Sequence, residues 1–307
     1  MSFSTNIKNE VTRLEENREE LISELSAIVR NSAVIEEKVT IFIENNSVAR
    51  RIFKLFKNIY DVTPIITVRK KYFNNGYTYI LTIKNKLKEI LDDLSVVKNG
   101  LFLDIPKDYI YSDEDLTRAY LRGLFLVTGS VNDPKTSKYH LEFLVDDDDY
   151  ANFVSELLNS MDLNSKVIKR DKKYMVYIKE AEKISDFLRA IKAYDAVMYY
   201  EDIRIYRDHK NMTNRLNNCE QANMDKIFLT ASSQIRDINK LKEYDMLDLI
   251  DEKIKLVIDY RLKYPEASLT ELSEIITKET GNRITKSGLN HRFRKIKEII
   301  SNIENKE

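Results

Sequence analysis

Between Gly281 and Lys297 the chain carries six basic side chains, Arg283, Lys286, Arg292, Arg294, Lys295 and Lys297, and no acidic one. Cations clustered on one helix meet DNA phosphates, and short polar or forked groups near the helix start reach base edges in the major groove. Ser287, Asn290, His291 and Arg294 are the groove candidates. Arg283, Lys286, Arg292 and Lys295 are the phosphate candidates, with Lys297 further along the run. The competing reading is a solvated basic face on a small helical domain.

Other reactive residues point to less. Asp146–Asp149 form a row of four carboxylates at an expected strand-to-helix junction. Successive side chains there point in different directions, and acids at a helix start stabilise its positive end, so they are read as capping residues and not as a metal site. Cys219 is the single cysteine, which rules out an intrachain disulfide and a cysteine zinc site and fits a reducing cytosol. His140, His209 and His291 are far apart, and His140 falls in an alternating strand, where it is structural. No metal and no cofactor are expected. Arg69, Lys70 and Lys71 occupy one pair of strand ends, and Lys169, Arg170, Lys172 and Lys173 occupy another; these form a possible second surface for DNA or a partner, or a plain solvated edge.

The elements around the basic run support the DNA reading. A helix over 248–263 buries Ile254, Val257, Ile258 and Leu262, and Pro265 stops it. Ser268 and Glu271 have capping-box spacing at the start of a second helix. Ser287 is placed to cap a third, from Gly288 to Ile300, with Leu289, Phe293, Ile296 and Ile300 inward. Two short helices that fix a third are the parts of a helix-turn-helix.

The rest of the chain is different. Helices are expected over 2–18, with Thr5 or Ser4 as cap, over 19–32, and after a Ser47 cap; a strand is expected over 37–44. Two strands joined at Asn75-Gly76 and a short helix follow. The pattern then repeats: a helix over 113–128, a strand over 138–145, a helix over 147–161, two strands and a helix. This predicts a duplicated α/β unit over roughly 19–191, forming two sheets or one saddle-like sheet backed by helices. Residues 206–240 are polar and Asn-rich, and are read as a linker with one helix starting near Cys219 to Asn223.

Lys and Arg total 50, as do Asp and Glu, so overall charge decides nothing and local charge must. No run of 18 apolar residues is present, the start of the chain is polar, and no membrane contact is expected.

Three segments in order, "YLRGLFLVTGSVNDPKTSKYHLEF", "NRLNNCEQAN" and "YPEASLTELSEII…ITKSGLNHRFRKIKEI", resemble the WhiA family of bacterial sporulation and cell-division regulators. The resemblance covers essentially the whole chain. It implies an α+β fold: a duplicated, degenerate LAGLIDADG homing-endonuclease-like domain over 1–205 (halves about 1–97 and 113–205), a linker over 206–240, and an all-α helix-turn-helix domain over 241–307. In the nucleases two central helices each end in an acid that holds a divalent metal over the scissile phosphate. Here the matching positions are Ser32 and Thr128, with Arg30 and Asn31 before the first and Leu126 at the earlier aspartate of the second. Hydroxyls are poor ligands for such metals. The resemblance therefore implies a non-enzymatic DNA-binding regulator, with Gly123 still allowing close helix approach and Gly129 suiting a turn. It implies double-stranded DNA as partner, RNA polymerase or its sigma factor as a further candidate, a cytoplasmic, nucleoid-associated location, and a monomer as one option. Active cleavage, or a protein scaffold with an incidental basic helix, are the alternatives.

Overall fold

Two stretches of the sequence fold alike, for the same local reasons. The computed structural model describes residues 2–71, 76–136 and 138–304. After α1 (Phe3–Val11), helix α2 (Arg18–Ser32) leads into β1 (Ala33–Ile35), β2 (Val39–Ile43), α3 (Asn46–Tyr60), β3 (Ile65–Lys70), β4 (Tyr77–Ile83) and α4 (Leu87–Asp93). A small hairpin, β5 (Val97–Lys98) and β6 (Leu101–Phe102), precedes the second stretch. That stretch is α5 (Glu114–Thr128), β7 (Gly129–Val131), β8 (Leu141–Val145), α6 (Asp148–Ser160), β9 (Lys166–Arg170), β10 (Lys173–Ile178) and α7 (Ala181–Ala190). The strand orders are β1-β2-β4-β3 and β7-β8-β10-β9, antiparallel throughout. The duplication therefore gives two four-stranded sheets. Period-two alternation buries Val39, Ile41, Leu81 and Ile83 in one, and Leu141, Phe143, Val176 and Ile178 in the other.

The central contact is α2 against α5. Gly123 makes it possible: a Cβ there would lie 2.2 Å from the Glu24 carbonyl oxygen. Glu24 itself is fully buried and holds two arginines. Arg51 donates to its carboxylate through Nε (2.8 Å) and Nη2 (3.0 Å), and Arg122 of α5 through Nε (3.0 Å). Glu16 lies 3.2 Å from Arg122 Nη1 and 2.9 Å from Lys192, so the network ties the segment before α2 to the end of α7. Burial opposes ionisation of Glu16, yet hydrogen bonds with Glu20 and Lys192 and the charge of Arg122 hold its carboxyl below the ordinary value.

Several boundaries differ from expectation. The helix expected over 2–18 stops at Val11, and Ser2 caps it; the Ser4 hydroxyl bonds Val131 N and O instead. Asn45, not Ser47, caps α3. Each half has a three-residue first strand, β1 or β7, that joins its helix without a loop and is too short to show a period. The strand expected from 138 begins at Leu141. Gly129 makes no turn: its backbone is extended (φ −78°, ψ 145°) and it opens β7. Glycine is needed there because a Cβ would lie 2.2 Å from the Phe125 ring. The turn at Asn75 lies outside the described residues.

The largest difference is α8, a single 50-residue helix from Tyr194 to Glu243 in place of a linker with a helix beginning near 219. Asparagines have low helix propensity, and the apolar stripe fades through 208–226, so no local signal joins the two ends. The ends are held from outside. The Glu10 carboxylate accepts the N–H groups of Asp195 (2.7 Å) and Ala196 (3.1 Å). Ala231, Ile238 and Leu241 are buried at the other end.

The chain divides into two compact units, one up to Arg207 and one from Asp208. In the second, α9 (Glu252–Lys263), α10 (Leu269–Thr280) and α11 (Lys286–Glu304) surround a core of Val257, Ile258, Leu272, Ile276, Leu289 and Phe293, joined by Ile238 and Leu241 of α8. The first of these helices starts at Glu252 behind an Asp251 cap, four residues later than expected. No helix among the described residues is long and apolar enough to cross a membrane.

Candidate nucleic-acid interface

The sequence of α10 and α11 fixes how the basic run is displayed. Ser268 and Glu271 form the expected capping box: the Ser268 hydroxyl accepts from Glu271 N, and the Glu271 carboxylate accepts from Ser268 N at 2.7 Å. Gly281 ends α10 with a left-handed φ of 73°, a conformation that favours glycine. Ser287 does not cap α11. The helix begins two residues earlier than expected, at Lys286, and Thr285 Oγ1 accepts the Gly288 N–H at 3.1 Å. It also runs past Ile300 to Glu304.

With Leu289, Phe293, Ile296 and Ile300 buried, the opposite side of α11 is fixed by the helical period. Asn290 and His291 lie three and four residues after Ser287, Arg294 lies four and three after them, and all are exposed, so the four groove candidates share one face. Lys286 and Lys297 are exposed on one flank. Lys295 is exposed and Arg292 half-buried on the other. Arg283 is exposed in the turn before the helix. None of the six cations is in an ion pair among the described residues, whereas Lys240 and Lys263 of the same unit are each paired with a glutamate. Six unpaired cations on one helix and its leading turn repel one another until an anion neutralises them.

The strand-end cations of the first unit are arranged differently. Lys71 pairs with Glu44, Lys173 with Asp146 (2.9 Å), and Arg170 lies 3.8 Å from Glu142. The Lys169 ammonium sits over the Tyr174 ring. Arg69 and Lys70 neighbour each other on β3 and so point to opposite faces of the sheet; both are exposed, as is Lys172. These seven residues are therefore spread over two sheet edges and partly neutralised. His140 lies just before β8, not in it, 3.1 Å from Glu142 and stacked on Tyr177.

The ends of the central helices hold no metal-ligating constellation. The Ser32 hydroxyl donates to Ile28 O (2.6 Å) and the Thr128 hydroxyl to Leu124 O (3.0 Å), each closing back onto its own helix. Asn31 bonds Ala27 O and the Tyr150 hydroxyl. Arg30 donates to the carbonyls of Ser95, Leu103 and Asp104, fastening the segment between the halves. Of the nearby acids, Asp133 accepts from Lys135 N and Tyr199, Asp146 pairs with Lys173, and Asp147 caps α6. Among the described residues, no three His, Cys, Asp or Glu side chains lie close enough to hold a metal ion.

Besides the Glu24 network, one more buried charge escaped the sequence reading. Arg261 is 1% exposed on the inner face of α9. The signal was available: it follows Ile254, Val257 and Ile258 at the core spacing.

Comparison with known proteins follows the same division. The chain matches the WhiA N-terminal LAGLIDADG-like domain over residues 18–97, the WhiA LAGLIDADG-like domain over 117–210 and the WhiA C-terminal HTH domain over 213–300. It is 42% identical over 314 residues to a probable cell division protein WhiA of Staphylococcus epidermidis, covering 100% of this chain and 99% of the relative. Identity to the corresponding Staphylococcus saprophyticus protein is 40% over 313 residues, with the same coverage. The crystal structure of full-length WhiA from Thermatoga maritima superposes with a TM-score of 0.60 at 25% identity, over 98% of this chain and 99% of that one.

Proposed function

This chain belongs to the WhiA family, and from that premise we propose that α11 is its recognition helix, docking in the major groove of double-stranded DNA. The protein is a non-enzymatic DNA-binding regulator. Its LAGLIDADG-like unit keeps the architecture of a nuclease, while its helix-turn-helix unit carries the binding. The observation that supports α11 most is its exposed, unpaired basic face.

In this reading Ser287, Asn290, His291 and Arg294 face base edges, and Arg283, Lys286, Arg292, Lys295 and Lys297 meet phosphates. The relatives are named for cell division, which supports that process here; control of transcription, chromosome segregation and, where the host sporulates, sporulation are what the family resemblance adds to the proposal. The protein would work in the cytoplasm on the nucleoid. The first unit offers exposed Val34, Phe42 and Ile65 on its first sheet, an apolar surface that suits a protein such as RNA polymerase or its sigma factor.

The alternative of an active nuclease has a direct test. Incubating the full chain with duplex DNA and Mg²⁺ or Mn²⁺ is expected to leave the DNA intact. Specific double-strand cuts that disappear on changing Ser32 or Thr128 would overturn the non-enzymatic reading.

A further inference from the structure

A cavity of about 450 Å³ opens in the second unit between α8, the start of α10 and the start of α11. Asn223, Lys226 and Thr230 of α8 line one side. Ser268 and Thr270 of α10 and Lys286, the first residue of α11, line the other, and Arg261 lies in the wall. Among the described residues, no carboxylate lines it. Glu271, whose capping bond is local, lines the adjoining groove with Glu266 and Glu274.

Three cations meet here, and none is in an ion pair among the described residues. Arg261 is the telling one. Its Nη1 donates to Ala267 O (2.6 Å) and Tyr264 O (3.4 Å), and its guanidinium lies over the Phe293 ring, but Nε has no hydrogen-bond partner. Burial alone shifts its pKa, downward, with no anion opposing the shift. A buried cation without a counter-ion is costly, and an anion in the adjacent cavity relieves that cost. Leu269 and Thr270, whose N–H groups fall in the first turn of α10 and have no intrahelical acceptor, also line the cavity.

We propose that this cavity seats one phosphate of the DNA backbone, so that α8 and the helix-turn-helix grip the duplex together. A phosphodiester suits the lining: one negative charge, several acceptor oxygens, and a set of donors with no acid among them. Continuity favours DNA over a free anion, since Lys286 belongs both to the cavity and to the basic face of α11. The assignment rests on the DNA-binding reading and adds Lys226 and Asn223 to it.

The test uses the full chain, a duplex carrying its preferred site, and affinity measured from 50 to 200 mM salt. Lys226 is exposed, so Lys226→Gln leaves the fold intact. We expect roughly threefold to tenfold weaker binding to all duplexes and a salt slope reduced by about one, with sequence preference unchanged. Lys210→Gln, on the same helix but outside the cavity, should change neither. Native-like affinity and slope in Lys226→Gln would overturn the proposal while leaving α11 as the reading helix. Absence of any duplex binding by the native chain would sink the DNA reading itself, and this proposal with it. Thermal stabilisation by inorganic phosphate, lost in Lys226→Gln while duplex binding and its slope stay native, would assign the cavity to a free anion and overturn it as well.

Discussion

Glu24→Ala is expected to destabilise the LAGLIDADG-like unit by about 3–5 kcal/mol, the usual cost of stranding buried charges. Glu24 is fully buried, and Arg51 and Arg122 are 8% and 0% exposed, so removing the carboxylate leaves two guanidiniums in the core with their principal partner gone. A guanidinium, unlike a lysine or histidine, does not relieve such burial by losing its proton. Urea unfolding monitored by far-UV circular dichroism reads the loss. Replacing all three residues with apolar ones of similar size, Glu24→Leu with Arg51→Met and Arg122→Met, should recover most of it, because apolar packing removes the desolvation cost along with the attraction. A Glu24→Ala variant as stable as the native chain would mean that the network does not clamp α2 to α5. The interface joins two halves whose terminal hydroxyls bond back to their own helices.

DNA affinity should fall about five hundredfold between 50 and 200 mM salt. Arg283, Arg292, Lys295 and Lys297 meet one phosphate each in this account and Lys286 shares a fifth with Lys226; each neutralised phosphate contributes a slope of about 0.9. Titrations at four salt concentrations with one duplex give the number directly. A slope near zero would mean that the basic face of α11 is solvated and incidental, and that the protein is a scaffold.

Much of this was legible in the sequence, for identifiable reasons. The capping box at Ser268 and Glu271, the apolar face of α11 and the acid-free basic run are local patterns, and local patterns survive folding. The duplication was visible because strand alternation and helix periods recur in order. The first strand of each half was not visible, since three residues fused to a helix end have no period to read. Nor was the length of α8: its asparagines argue against helix, and its stability comes from Glu10 at one end and core packing at the other, both remote in sequence. Gly129 shows the same limit on a small scale. Its type was read as a turn, whereas the constraint is the Phe125 ring against an extended backbone. The cavity at Lys226 lay hidden because its cations come from three helices spread over 61 positions, Lys226 to Lys286 inclusive.

The most direct test of the central claim compares Arg294→Ala with Lys295→Ala in the full chain, each titrated with the preferred site and with a random duplex. If α11 reads the major groove, Arg294→Ala should cost about 1–3 kcal/mol on the preferred site and much less on random DNA, relaxing preference at one base position. Lys295→Ala should weaken both duplexes alike and lower the salt slope by about one. An Arg294→Ala protein that binds both duplexes with the native ratio of affinities would contradict the account.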